Sequence, residues 1–515
     1  MGAVSFDANQ RGAQRCSKHA EMTGRKCCSA GQPSRQSTKI LRGAVNLVSE
    51  MPLDSVFALQ NKGAAAQRAG PDYAQRRAML QALASSIRAH EDAICAALAS
   101  DFAKPSAEVI LTEVLPVLQE IRHALRHLRR WMRPARVPPT LAMLGTAAQV
   151  IAQPRGVCLI IAPWNYPFNL TLGPLVSAIA AGNRSILKPS EMTPATSALI
   201  AKIVAEVFTP DQVAVVQGGV ETAQALLALP FDHIFFTGSP AVGRKVMAAA
   251  AQNLASVTLE LGGKSPVIIG PSATIAQAAA WVAFGKFGNA GQTCIAPDHV
   301  FVHASVQAEF SAALQARIAR AYGTGSYSPH LAKVVNAHHA SRLHSLLRDA
   351  LAKGAQVITG GEGAGGENGR AFPPTLISAL TPEMHISTQE IFGPILPIIP
   401  YDDLDQVMAA INARAKPLAL YIFGRSARET AQIIAGTTSG SVGVNLTMAQ
   451  FSHLGLPFGG VNGSGIGAAH GRAGFDAFSH QRAVLRNIAS PLALLFPPYI
   501  GRSAKLIQIA KRLLG

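Results

Sequence analysis

Between Val157 and Glu260 short apolar runs alternate with longer segments of helical character, and few folds accept that order. VCLIIAP, RSILKPS, VAVVQG and HIFFTG read as buried strands, with GPLVSAIAAG, TPATSALIAKIVAEVF, ETAQALLAL and SPAVGRKVMAAAAQ as helices between or after them. Strands this apolar need cover on both faces, and crossover helices between parallel strands supply it. The ligands of such a sheet bind where its loops emerge, at the carboxyl ends of the strands. A second block begins after VTLELGG, with SPVIIG, a helix through Trp281, the loop GNAGQTC, the strand HVFVH and the helix SVQAEFSAALQARIARAY. The fold class is α/β, two domains with parallel sheets that meet at LELGG.

A chain of 515 residues, 49% hydrophobic and 15% charged, has material for two such cores. From Leu53 to about Arg133 the pattern is helical, and Leu111, Val114, Leu115, Leu118, Ile121, Leu125 and Leu128 are expected on one buried stripe. Arg122, Arg126, Arg129 and Arg130 fall opposite, where a solvated face is the ordinary reading and a nucleic-acid surface the other. No nucleic-acid partner is expected.

The formal charge of +17 is concentrated at the ends. Residues 1–50 carry eight basic and three acidic side chains without apolar periodicity, and read as a disordered basic extension. A flexible tail, a true start at Met51 and an Arg-rich transit peptide are the readings open for it. The closing IGRSAKLIQIAKRLLG sets Ile507, Ile509, Leu513 and Leu514 among Lys505, Lys511 and Arg512. It reads as a helix packed on the protein or a dimer mate, or as one resting weakly on an anionic membrane surface. Three of the six cysteines, Cys16, Cys27 and Cys28, lie in the N-terminal extension, and Cys95, Cys158 and Cys294 are scattered in the body, which argues against a disulfide scaffold. No metal site is expected, since Cys27-Cys28 lacks zinc spacing. No apolar run reaches the roughly 18 to 20 residues of a membrane span, and a cytoplasmic location is expected.

Cys158 sits in an apolar run and reads as core. Cys294 follows a loop of glycine and small residues, where the backbone can approach a ligand, and is a candidate nucleophile as much as a packed thiol. Glu260 stands between Leu259 and Leu261, surroundings that raise a carboxyl toward neutrality and suit a general base; a buried salt bridge is the alternative. Asn165 in PWNYP is either a turn residue or a fixed donor for an oxyanion. Gly238 and Gly243 mark a strand-to-helix junction whose free N–H groups can face a phosphate, and Lys188 and Glu191 end another strand with groups suited to ribose hydroxyls.

PWNYP, LKPSE, FTGSPAVG, LELGGKSP, GQTC, EIFGP and PFGGVNGSG occur in this order, and together they resemble the aldehyde dehydrogenase superfamily over residues 55–485. FNLTLGPLVSAIAAGN, KFGNAGQTCIAPD and HGRAGFDAFSHQR look like its class 3 branch, and RHLRRWMRP is similar to bacterial coniferyl aldehyde dehydrogenases. The resemblance implies a Rossmann-like cofactor domain over 51–137 and 156–260 and a catalytic domain over 261–475. It also implies an oligomerisation arm over 138–155 and 476–490, with a basic amphipathic tail over 491–515. Cys294 would be the nucleophile, Glu260 the base for the hydrolytic water, and Asn165 an oxyanion donor with the Cys294 N–H. Lys188 and Glu191 would hold the adenosine ribose, Gly238, Ser239 and Gly243 the pyrophosphate, Glu390 the nicotinamide ribose, and Phe392 would pack beside the nicotinamide. Tyr166, Leu170 and Thr293 are expected as pocket walls, and Lys264 as structural. The implied activity is oxidation of an aromatic aldehyde such as coniferaldehyde, or of a medium- or long-chain aldehyde, with NAD or NADP. Glu191 favours NAD, and the assembly is expected to be a homodimer. A semialdehyde dehydrogenase and a catalytically silent binding protein are the alternatives.

Overall fold

The computed structural model describes residues 51–325, 328–361 and 369–514. The expected N-terminal extension lies outside them.

Three sheets organise these residues. The six-stranded sheet contains β3 (Val157–Ile161), β4 (Arg184–Lys188), β5 (Val213–Val215), β6 (His233–Thr237), β7 (Ser256–Glu260) and the two-residue β15 (Gly465–Ile466), in spatial order β15-β7-β6-β3-β4-β5. Its first five strands are mutually parallel, and β15 joins β7 antiparallel. The chain steps from β3 to β4 and β5 on one side, then returns to place β6 on the other side of β3. The loops after β3 and β6 therefore diverge, and a crevice opens between them.

Both faces of this sheet are buried, as its all-apolar strands demand. Cys158 and Ile160 point into a cluster with Leu172, Leu175 and Phe235, while Leu159 and Ile161 point the other way, toward Phe57, Ile234 and Val246. Cys158 is thus a core residue, as expected.

The seven-stranded sheet has the order β10-β11-β12-β9-β8-β13-β14. Its members are β8 (Pro266–Ile269), β9 (His299–His303), β10 (Gln356–Thr359), β11 (Thr375–Ser378), β12 (Ile395–Tyr401), β13 (Ala419–Phe423) and β14 (Ser441–Val444). All pairs are parallel except β10 with β11. A third sheet joins β1 (Ala135–Val137), β2 (Thr146–Pro154) and β16 (Ser479–Asn487), antiparallel throughout.

The helical stripe needs correction. Val114, Ile121 and Leu128 are buried, but Leu111 and Leu115 are 53% and 39% exposed. The segment is not one α-helix: a helical turn at Ser106–Val109 leads into a π-turn at Ile110–Val114 before the helix Leu115–Trp131. The π-turn closes with an i→i+5 bond, Leu115 N–H to Ile110 O, so the chain carries one residue more than α-periodicity allows. That residue shifts the phase, and Glu113 points inward in place of the expected leucines. The arginines of the opposite face are exposed as expected.

Candidate active site

Four residues or pairs singled out in the sequence stand just beyond, or at, the carboxyl ends of adjacent parallel strands. Asn165 follows β3, Lys188 ends β4, Gly238 and Ser239 follow β6, and Glu260 ends β7. Lys188 Nζ pairs with Glu191 at 2.5 Å, the lysine buried and the carboxylate partly exposed. Ser239 is the exposed N-cap of the helix Pro240–Gln252, which starts at the carboxyl end of β6. Gly238 N–H donates to Glu260 O at 3.0 Å and ties the two strand ends together. Gly243 has a different reason to be glycine. It lies buried inside the helix, and a Cβ there would meet Leu261 Cδ2 at 2.7 Å. Its smallness serves the packing of helix on strand, which leaves Gly238 and Ser239 as the groups able to meet a phosphate.

The loop before Cys294 is held in a conformation that side chains ordinarily avoid. The helix Ile275–Phe287 stops, and Asn289, Ala290 and Gly291 follow with φ of 53°, 53° and 72°. Left-handed backbone at two non-glycine residues is costly and calls for support from outside the loop. Glu108 accepts the Asn289 N–H at 2.7 Å, and the Asn289 side chain donates to Asn165 O and Gln292 O at 2.8 and 3.1 Å. Gln292 in turn donates to Lys333 O and accepts from Val335 N–H. At Gly291 a Cβ would collide with the carbonyl oxygen of Gly393, so the loop before Cys294 lies directly against the EIFGP turn.

Cys294 opens onto a cavity of about 280 Å3, and Glu260, Thr237, Thr293, Tyr166 and Leu170 line it too. Its remaining walls are chiefly apolar, among them Phe235, Trp281, Phe284, Ile295, Met448, Phe451 and Phe458. The expected wall residues Tyr166, Leu170 and Thr293 are all there. Asn165 does not line the cavity. Its Nδ2 donates to Gln292 O at 2.9 Å, so one of its two N–H bonds already braces the loop before Cys294.

Glu260 is 5% exposed and neither carboxylate oxygen has a hydrogen-bond partner. Burial alone lifts its pKa well above the ordinary carboxyl range. Burial, then the nearby Glu260 and Glu390, push the Cys294 thiol up to about 12. Burial thus favours the protonated form of both groups.

The EIFGP turn is clamped on several sides. Glu390 accepts the Gly263 N–H at 3.1 Å, and Gly262 has no room for a Cβ beside the same carboxylate. Burial, first of all, lifts Glu390 to about 7. Lys264 pairs with the buried Asp298 and donates to Ile386 O and Gln389 O, while Asp298 accepts the Ile391 N–H at 2.9 Å. Lys264 is structural, as expected. Phe392 has a φ of 46°, a strained value for a bulky residue, and its ring meets Trp164 edge-on at 5.3 Å.

Sequence reasoning passed over Lys104, Glu108 and Glu113 beneath these loops, and the carbonyl-bracing Asn289 and Gln292. Glu108 and Glu113 stand five apart, which on a regular α-helix sets them about 140° from each other, so no helical pattern joins them.

The aldehyde dehydrogenase family profile matches residues 46–484. The chain belongs to the aldehyde dehydrogenase family. It is 42% identical over 407 residues to a coniferyl aldehyde dehydrogenase of a Pseudomonas species, covering 78% of this chain and 84% of the relative. Among solved structures, substrate-bound AldH of Staphylococcus aureus superposes with a TM-score of 0.85 at 38% identity, covering 89% of this chain and 99% of AldH. PnpE, solved in complex with nicotinamide adenine dinucleotide, superposes with a TM-score of 0.78 at 26% identity, over 86% and 91% of the two chains. This aldehyde dehydrogenase is accordingly an oxidoreductase acting on aldehydes, of a family that uses NAD(P). Its residues fit that coenzyme: a helix N-terminus, a lysine–glutamate pair and a buried carboxylate face the ends of one switched parallel sheet.

Proposed function

We propose that the protein oxidises an aldehyde to its carboxylic acid with NAD(P), through a thioester on Cys294. The observation that carries this reading is a thiol and an unpartnered buried carboxyl, Cys294 and Glu260, lining one apolar cavity. Once deprotonated, Cys294 adds to the carbonyl carbon, and the negative charge that develops on oxygen is met by the Cys294 N–H and by the Asn165 N–H not engaged with Gln292. A coenzyme held by the residues named below would supply the hydride acceptor for this oxidation. Glu260, as a carboxylate, takes the proton of the water that hydrolyses the thioester.

Lys188 and Glu191 bind the adenosine ribose, Gly238 and Ser239 the pyrophosphate, and Glu390 the nicotinamide ribose with Phe392 beside the ring. Glu191 repels a 2′-phosphate, which favours NAD over NADP. The cavity suits an aromatic aldehyde such as coniferaldehyde or a medium- to long-chain aliphatic one. No lysine or arginine lines the cavity among the described residues, which speaks against a semialdehyde whose carboxylate would need a cation. We further propose a cytoplasmic homodimer; among the described residues no helix is long and apolar enough to cross a membrane.

The test is a panel of coniferaldehyde, cinnamaldehyde, hexanal, decanal and succinic semialdehyde with NAD and NADP, read by the absorbance of reduced coenzyme. Cys294→Ala should abolish the first-turnover burst while leaving coenzyme binding intact. Oxidation near the wild-type rate in that variant rejects the proposal.

A further inference from the structure

Beneath the catalytic loop lies a pair of charges that the reaction above does not use. The side chains of Lys104 and Glu113 have no solvent exposure and pair at 2.8 Å. Glu113 spends its second oxygen on the N–H of Asn169 at 2.9 Å, the first residue of the helix Asn169–Ala181, where that group has no intrahelical acceptor. Lys104 Nζ stands 3.9 Å from the centroid of the Tyr166 ring. An ammonium over a ring face is attracted most strongly where water is excluded, as it is here. The far end of the same ring carries the hydroxyl that meets Thr293 Oγ1 at 2.7 Å, and Thr293 is bonded to Cys294.

A chain of contacts thus runs from the buried ion pair through one aromatic ring to the residue before the nucleophile. Neutralising Glu113 would by itself account for a lysine at 104. It does not account for an ammonium set against the face of Tyr166, nor for the phenol ending on Thr293. The backbone of this loop is left-handed at Asn289 and Ala290, so a tether on its far side has a conformation to maintain.

We propose that Lys104, paired with Glu113, is a positioning residue for aldehyde oxidation: it holds the Tyr166 ring so that the phenol anchors Thr293, and so fixes the Cys294 N–H and Sγ against the cavity. The inference rests on the reading of Cys294 as nucleophile.

The test is a mutant cycle on the full-length enzyme, read by the burst rate, kcat and KM with the fastest aldehyde of the panel. Lys104→Met leaves Glu113 without its cation and is prone to misfold, so the pair is replaced together as Lys104→Met with Glu113→Gln, and Glu108→Gln, the other carboxyl beside Lys104, is measured in parallel to separate its effect on the loop. Tyr166→Phe removes only the hydroxyl. Each change should slow the burst by about tenfold to a hundredfold, the range expected of a misplaced reacting group, with KM moving far less than kcat. Combined, they should slow it no more than the stronger of the two alone, because both cut one tether. Lys104→Arg, which keeps a cation, should recover part of the rate. Factors that multiply in the combined variant, or a wild-type burst in Tyr166→Phe, overturn the proposal; the second decides even if the paired variant does not fold. A full burst in Cys294→Ala would instead reject the underlying reading of the nucleophile.

Discussion

At the scale of single residues, the site combines a thiol and a carboxyl that each favour the protonated state. The Cys294 thiol is pushed up to about 12, so at any pH below that its thiolate fraction is smaller than that of an unburied cysteine, and it grows as pH rises. Alkylation of the coenzyme-free enzyme by iodoacetamide should therefore be slow at neutral pH and climb without a plateau below about pH 10, because only the thiolate reacts. A plateau near neutrality, followed by mass spectrometry at Cys294, would show a thiol already activated at rest. Glu260 is expected to act after the thioester has formed. Glu260→Gln should keep the stopped-flow burst of reduced coenzyme and lose most of the steady-state turnover, and full turnover in that variant would remove its role as base.

At the scale of elements, the strand-and-helix order of the six-stranded sheet was legible because its strands are uniformly apolar, and period and burial agree. The candidate nucleophile and base were legible for a similar reason: a thiol among glycines and a carboxyl between leucines are locally anomalous. Lys104, Glu108 and Glu113 were not: Lys104 precedes the first helical turn, Glu108 lies in that turn and Glu113 in the π-turn after it, so no single helical period joins them. Gly243, read as a phosphate contact, has a packing reason to be glycine, since a Cβ there would meet Leu261. The two roles separate experimentally. Gly243→Ala should cost about 1 to 3 kcal/mol through overpacking, visible as a lower Tm, while the Kd for coenzyme measured well below that Tm changes little. A large loss of coenzyme affinity at unchanged Tm would restore the phosphate role.

At the scale of the whole molecule, the three-stranded sheet ends in an open edge. The strand β16 pairs with β2 over nine residues on one side and with no strand on the other among the described residues. It carries Leu485 at 58% exposure, and Ile488 just beyond it is 70% exposed. A long edge with exposed apolar side chains is ordinarily covered. In the proposed homodimer a second copy covers it, and light scattering should report twice the chain's 53.9 kDa. Leu485→Glu should shift that mass toward the single chain with little change in Tm at equal concentration. An unaltered mass would place the interface elsewhere.

The π-turn at Ile110–Val114 has a consequence beyond geometry. It differs from an uninterrupted α-helix by a single residue, which in a gene is a single codon. Leu111 and Thr112 face the cavity from it, while Glu113 pairs with Lys104. Deleting one codon here would leave composition, charge pattern and nearly every contact of the two main sheets as they are, yet would turn both groups away from their partners. Insertions and deletions of this size are commonly tolerated in surface loops; in this segment one would be read out directly as activity.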